Sequence, residues 1–447
     1  MGYTYSIQIN SRQKMDEVYM NSFTMNKLNI KHHSIQFCYG QHRSKLMINI
    51  NNHLKDGHIS IPQQISEQII IPRVPYDYQI NQNELRLGPV IGYMVLKRTF
   101  ASPQNRVPRF VHYDQFKGVV FLFTSTNMDK ESFNLPGYYY DPVRKRFMEG
   151  VFPYPDAIYT RSNVKFENYK HLREKIGDRI FNYPYRADNK RKFWKKMSAD
   201  PNIKQHLPFT QPYMGIDSVL QMLKEYGSVY LKPINLNRGK GIFQIIKENE
   251  RYILMTRKNE RFETRSIEKL NSMVTKHMIQ DKSYIIQQTV EFKSGLNRID
   301  FRAYIQKDES LKWNLSGMEA RIAKKGSIIT NMTHRMMVEM GDHAFKKHFQ
   351  LTQDEIIQIK NKILQIGAKI LNEIENSNRN YHLGDAAIDL VVDSDLKIWI
   401  LEVQMNYGAE VKRGGHISES KIFPYILQTP FFYAKALAGF GESNDTK

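Results

Sequence analysis

The sequence predicts an α+β protein made of several small units, and three observations carry that expectation. The first eighty-odd residues break into short segments such as "YTYSIQIN", "SIQFCYG", "KLMININ" and "QIIIPRV", separated by Asn, Gly and Pro with no long helical period. From "LRLGPVIGYMV" onward, apolar strands including "KGVVFLFTS" and "DAIYTR" alternate with polar or helical stretches. Near the C-terminal end a long amphipathic helix, "TQDEIIQIKNKILQIGAKILNEIE", precedes the hairpin "AIDLVVDSDLKIWILEVQ". An N-terminal β-rich domain over 1–85 and a small α/β domain over 86–187 follow from the first two.

Bulk properties narrow the classes. At 447 residues the chain exceeds one ordinary core, and with 41% hydrophobic and 25% charged residues it is folded rather than disordered. Lys and Arg outnumber Asp and Glu by 65 to 45, giving +20 and a pI near 9.6, so an acidic partner is expected: nucleic acid, nucleotide or acidic polymer. The densest basic patch is "NKRKFWKK" at 189–196; a solvated basic surface without a specific ligand fits the same charge. A single cysteine, Cys38, excludes an internal disulfide and a cysteine metal cluster, which suits the cytoplasm. No run approaches the roughly 18 apolar residues of a membrane span. Gly2 and Ser6 fit a myristoylation pattern, but alternating Tyr3, Tyr5, Ile7 and Ile9 read as a first strand.

Taken in order, Gly88 and Gly92 in "GPVIG" read as a tight turn, because their spacing is not that of a dinucleotide loop. In "DSVLQMLKEYG", Asp217 is expected to cap a short helix that Gly227 ends. The long helix starts with a capping box from Thr352 to Glu355, and Ile356, Ile363, Ile370 and Ile374 recur at helical spacing as a core stripe.

Chemistry concentrates in four places. In "VYLKPINLNRGKGIFQI" a strand delivers Lys232 and a loop supplies Gly239, Lys240 and Gly241. Such glycines let backbone N–H groups approach anionic oxygens while the lysine adds a point charge, although the spacing is not a P-loop and a structural hairpin turn uses the same residues. "YIIQQTVEF" runs a strand into a polar connection, and "NRIDFRAYI" carries Asp300 and Arg302; the kinase D-F-G fails because Arg302 replaces its glycine. "GMEARIAKKGSIITN" adds Arg321 and Asn331, where cleft arginines suit phosphate or carboxylate and surface arginines are the alternative. In the final hairpin, with "DSD" as its turn, Asp389 and Glu402 fold back onto one face near one end. With Gln404 they form a hard oxygen set suited to magnesium shared with phosphates.

The order of these features resembles the ATP-grasp superfamily, and within it the endospore coat-associated proteins of the YheC/YheD type, over roughly residues 85–430. The resemblance rests on "DNK" at Lys190, "LPFT", "YLKP" with "GKGI", "IIQQTVE", "DFRAYIQKD", "ARI" and "IDL…LEVQ". It implies an ATP-grasp fold with a first lobe at 188–284 and a second lobe carrying the metal site at 285–440, preceded by the α/β and β-rich domains. It further implies that Lys190 and Lys232 contact nucleotide phosphates under the Gly239–Lys240–Gly241 loop, and that Gln287, Gln288 and Val290 form the hinge at adenine. Arg302 and Arg321 would face the transferred phosphoryl group; Asp389, Glu402 and Gln404 would hold two magnesium ions, with Glu402 bridging them. The implied activity is an ATP-dependent ligase joining a carboxylate, such as a peptide or acidic polymer, to an amine through an acyl phosphate, in the cytoplasm or the spore.

Two departures stand out. The family's E-x-N is here Glu402–Gln404, with Asn406 two residues further on, and the glycine pair expected after Asn331 is absent from "NMTHRM". They keep open a catalytically idle ATP-binding structural protein of the spore coat, and charge alone keeps open a nucleic-acid binder.

Overall fold

A computed structural model describes residues 5–183, 189–236, 239–295, 297–330, 334–405, 407 and 417–441, with side chains omitted for 417–423. Four β-sheets follow one another along the chain. Seven strands between Ser6 and Gly88 form the first, and six between Val90 and Phe181 form the second. The second is parallel at its centre, where Val90–Val95 lies between Val119–Phe123 and Ala157–Arg161 and runs parallel to both. These two sheets share one apolar core. Phe431 of the last helix, Ile417–Leu437, enters that core and meets the rings of Tyr93, Phe110, Phe116 and Tyr159.

Two local features differ from what the sequence predicts. Gly92 lies inside the strand Val90–Val95 rather than in a turn, paired with Ile158 on one side and Phe121 on the other; it is glycine because a Cβ there would come within 2.8 Å of Phe123 and 2.9 Å of Pro155. Asp217 sits within the first turn of the helix Ile216–Tyr226, whose cap position is Gly215; Gly227 does end it, at φ +68°.

The third sheet, from Thr210 to Gln288, is antiparallel and carries Lys232. In the fourth, the strands Arg335–Met340, Trp313–Ala323, Asn297–Lys307, Asp385–Val392 and Ile398–Gln404 lie side by side in that order, all antiparallel. Its apolar face presents Phe301, Ala303, Ile305, Ile388 and Leu390, all fully buried. Against it packs the helix Gln353–Asn376, whose Thr352–Glu355 capping box forms as the sequence predicts. Ile356, Ile363, Ile370 and Ile374 are all buried on its inner side, and each such side chain contributes roughly 1.5–3 kcal/mol.

The last hairpin holds the decisive detail. Its loop is longer than "DSD", running over 393–397 with Asp393 Oδ1 accepting from the N–H groups of Asp395 and Lys397. Val392 pairs with Ile398 and Leu390 with Ile400, so an unbroken ladder would set Asp389 opposite Leu401 and turn Glu402 to the apolar side. Instead Leu401 is an extra residue, a β-bulge, and Asp389 pairs with Glu402. The bulge lets Ile398, Ile400, Val403 and Met405 all enter the core while Glu402 and Gln404 face the other way.

Gly367 marks where the long helix touches the sheet, since a Cβ there would lie 2.1 Å from Ile305 Cδ1 and 3.0 Å from Ile388 Cδ1. Gly367→Ala is therefore expected to lower unfolding stability by about 1–3 kcal/mol despite the better helix propensity of alanine. Adding Ile305→Val in the same chain should recover part of that loss in chemical denaturation.

Candidate functional site

The polar face of the fourth sheet is built by register. Glu402, Asp389, Arg302 and Glu319 stand opposite one another across four strands, and Asp300 stands opposite Arg321 one step along. Arg302 grips Asp389 with its fork, Nε to Oδ1 at 2.7 Å and Nη2 to Oδ2 at 2.9 Å. Arg321 donates from Nε to Asp300 Oδ1 at 2.7 Å and from Nη1 to Asp389 Oδ2 at 3.3 Å. Thr330 closes the chain by donating to Asp300.

Burial would raise the Asp389 pKa, but Arg302 and Arg321 outweigh it and hold the carboxyl below its ordinary range. The arginines respond in kind: burial opposes their charge, yet Asp389 raises Arg302, and Asp300 with Asp389 raises Arg321. Asp389, Arg302 and Arg321 are thus held in their charged forms, and Asp300 fixes the Arg321 fork in place.

Glu402 is different. It is half-buried, and its Oε1 accepts from Gln404 Nε2 at 2.7 Å. Among the described residues no cation lies within ion-pair distance of it. Gln404 thereby keeps its carbonyl oxygen free of that bond, so the face offers two carboxylates and an amide oxygen, hard donors that fit magnesium. No group of three His, Cys, Asp or Glu side chains converges as a metal site among the described residues.

Across from this face, the third sheet and the segment before it bring up the basic groups. Asn189 caps the helix Lys190–Met197, accepting from Lys192 N at 3.0 Å, and Lys190 Nζ reaches Leu236 O at 2.7 Å. Lys232 Nζ donates to Gln287 Oε1 at 2.5 Å, and Gln287 Nε2 donates to Thr210 Oγ1 at 2.9 Å. Burial, and then Lys190, push the Lys232 pKa down to about 8, while Glu402 and Asp300 pull the other way. Those opposing fields tie the lysine to the acids of the neighbouring sheet.

Gly239 and Gly241 adopt φ +69° and +71°, and a Cβ on Gly241 would come within 2.8 Å of Ile279, so both left-handed positions call for glycine. Lys240 between them is exposed. At the predicted hinge, Gln288 Oε1 accepts from Phe209 N at 3.2 Å and Val290 is half-buried just beyond the strand. The side chains of Gln287 and Gln288 are therefore engaged within the protein. Asn331 and Asn406 lie outside the described residues.

Sequence reasoning passed over Arg298, which fastens the two sheets together. Its Nη2 donates to Gln244 Oε1 at 2.9 Å, its Nη1 to Ser327 O at 2.6 Å and its Nε to Glu291 Oε2 at 2.5 Å. Tyr230 adds a second strap, its hydroxyl donating to Ile328 O at 3.0 Å. The missed signal was the alternation Arg298, Asp300, Arg302, three charges at period two on one strand face.

A family described as YheC/D like ATP-grasp matches residues 177–437, more than half of the chain. The chain is similar to the endospore coat-associated protein YheD of Bacillus subtilis (strain 168), at 21% identity over 374 residues, 79% of this chain and 80% of that protein. It is similar to YheC of the same organism at 21% over 338 residues, 71% of this chain and 88% of that protein. Among solved structures, D-alanyl-alanine synthetase A from Vibrio cholerae O1 biovar eltor str. N16961 aligns over 79% of this chain and 98% of its own, with 11% identity and a TM-score of 0.42.

The two acids should separate in stability. Asp389→Asn removes the carboxylate that two buried guanidinium groups share and is expected to cost about 3–5 kcal/mol in denaturant unfolding. Glu402→Gln, with no ion pair to lose, is expected to stay within about 0.5 kcal/mol.

Proposed function

The chain belongs to the YheC/D like ATP-grasp family and has that α+β fold, and from this premise we propose that it is an ATP- and magnesium-dependent ligase joining a carboxylate to an amine or similar nucleophile. One observation carries the proposal. Among the described residues no cation pairs with Glu402, on a face where Asp389, Asp300, Arg302 and Arg321 pair with one another, and it lies within the field of Lys232. An unpaired acid beside a lysine with a lowered pKa is the arrangement expected where a metal–triphosphate group docks.

In this reading Lys190 and Lys232 hold the phosphates and the Gly239–Lys240–Gly241 loop covers them with its backbone. The adenine contacts fall to Val290 and to backbone groups of Gln287 and Gln288, since both amide side chains are engaged elsewhere. Asp389, Glu402 and Gln404 would hold magnesium, which would supply charge neutralisation on the transferring phosphoryl group. Arg302 and Arg321, oriented in advance by Asp389 and Asp300, face that group from the sheet and need no reorganisation as charge develops.

The substrate carboxylate attacks the γ-phosphorus, the bond to the ADP oxygen breaks, and an acyl phosphate forms. The amine then attacks the carbonyl carbon, expels phosphate and leaves an amide after losing a proton. A basic chain of +20 favours an acid substrate with several carboxylates, such as a peptide or an acidic polymer. Association with the spore coat is proposed from the relatives' names.

A second reading has its own support. Both Asp389 oxygens are already committed to arginines, which favours a catalytically idle coat protein that binds ATP without turning it over. ATP binding without ADP formation across a broad panel of acids and amines would select it.

Two measurements test the ligase reading. Glu402→Gln should lower ADP formation by about 10²–10³-fold while the protein stays folded; unchanged turnover would remove the metal role. The Lys232 pKa, depressed from an ordinary value near 10.4 to about 8, means its buried charge opposes folding fully below pH 8 and progressively less as the pH rises above it. Triphosphate binding should restore that charge, so calorimetry at pH 8.5–9 in buffers of different ionisation enthalpy should register proton uptake. Lys232→Ala should bind ATP more weakly and show no uptake.

A further inference from the structure

The α/β unit contains a charge that the proposed mechanism leaves unexplained. Arg109, in the short 3-10 helix Pro103–Phe110, is only 3% exposed. Its guanidinium lies over the Tyr93 ring, 5.7 Å from the centroid, and its Nε is buried without a hydrogen-bond partner. Among the described residues no carboxylate pairs with it. A guanidinium buried there with an unpartnered Nε and no carboxylate partner among the described residues is costly and calls for an anion.

The buried acid bound by Tyr159 is already engaged. Asp385 accepts from Arg161 Nη1 at 3.2 Å, from Gln306 Nε2 at 2.7 Å, and from the hydroxyls of Tyr159 and Tyr407. Tyr159, one of those donors, stacks at 5.2 Å on Tyr93, the ring that Arg109 covers. A second orphan donor sits on the helix that covers the same rings: Gln428, one turn before Phe431, is 2% exposed with its Nε2 unpartnered. Phe431 itself packs on Phe110, the neighbour of Arg109.

The position in the fold has a meaning of its own. From Val90–Val95 the chain crosses to Val119–Phe123 on one side, while Ala157–Arg161 takes the other, all three parallel. That is a switch point of an α/β sheet, where ligands meet the carboxyl ends of the strands. Arg161, at one such end, already reaches Asp385, four residues before Asp389 on the same strand.

We propose that Arg109, assisted by Gln428, is a specificity-determining residue that receives a carboxylate group of the acid substrate at this switch point. The inference rests on the ligase reading for calling its ligand a substrate. The planar fork of a guanidinium matches a carboxylate, and the amide adds one more donor.

The test uses the full-length protein without nucleotide, so that a failure of ATP binding would overturn the ligase reading and leave this result standing. Thermal unfolding is followed for wild type and Arg109→Met in sodium acetate or sodium chloride at matched ionic strength, with inorganic phosphate as a third arm. In chloride, Arg109→Met should unfold at the same temperature as wild type or higher, because no ion pair is lost. Acetate should raise the wild-type midpoint above its chloride value by on the order of 1–2 °C and leave the variant unmoved. A variant that melts well below wild type or fails to fold would show that the charge has a structural partner, and an equal acetate response in both proteins would place the anion elsewhere. Either result overturns the proposal, as does the absence of any acetate response. A larger rise with phosphate than with acetate would overturn the carboxylate assignment.

Discussion

The arrangement of the site depends on one extra residue in the strand Ile398–Gln404, because the bulge at Leu401 decides which side of the sheet Glu402 and Gln404 occupy. Two demands meet there. The core needs Ile398, Ile400, Val403 and Met405 on one side, and those positions do not share a single parity. Placing the break between Ile400 and Glu402 satisfies the core and brings the second acid directly across from Asp389. Arg302 and Arg321 then follow from register, since neighbouring strands set them beside Asp389 and Asp300.

This face combines fixed and unfilled charge. Asp389, Asp300, Arg302 and Arg321 neutralise one another in a rigid chain of charge-assisted bonds, which gives the site a permanent frame. Glu402 lies outside that chain, and Lys232 lies across from it with its charge weakened by burial and by Lys190. A ligand carrying both cations and anions would relieve both groups at once. The Arg298–Gln244 and Tyr230–Ile328 straps hold the two sheets close enough for that relief to be felt across the gap.

Much of this was legible in the residues. The capping box at Thr352, the isoleucine stripe, the acids of the last hairpin and the glycines around Lys240 are local patterns, and local patterns survive folding. Three kinds of feature were not legible. Gly92 looked like a turn because its crowding by Phe123 and Pro155 is a tertiary fact. Asp217 looked like a cap because a residue in the first helical turn and a cap differ by two positions. The bulge at Leu401 left a trace in the parity of the apolar residues, but only pairing with the neighbouring strand turns that trace into a position. The Asp385 cluster joins residues more than two hundred positions apart, from Tyr159 and Arg161 to Gln306 and Tyr407, and no spacing in the sequence foretells it.

In the proposed ligase, Glu402 and its neighbours grip divalent ions together with the phosphates of the nucleotide, ADP as well as ATP. Manganese, used in place of magnesium, can be followed by electron paramagnetic resonance as it binds in the presence of ADP, in wild type and in Glu402→Gln. Manganese binding is expected to require the nucleotide in wild type and to be lost in the variant. Manganese bound equally well by both proteins, or indifferent to ADP, would contradict it.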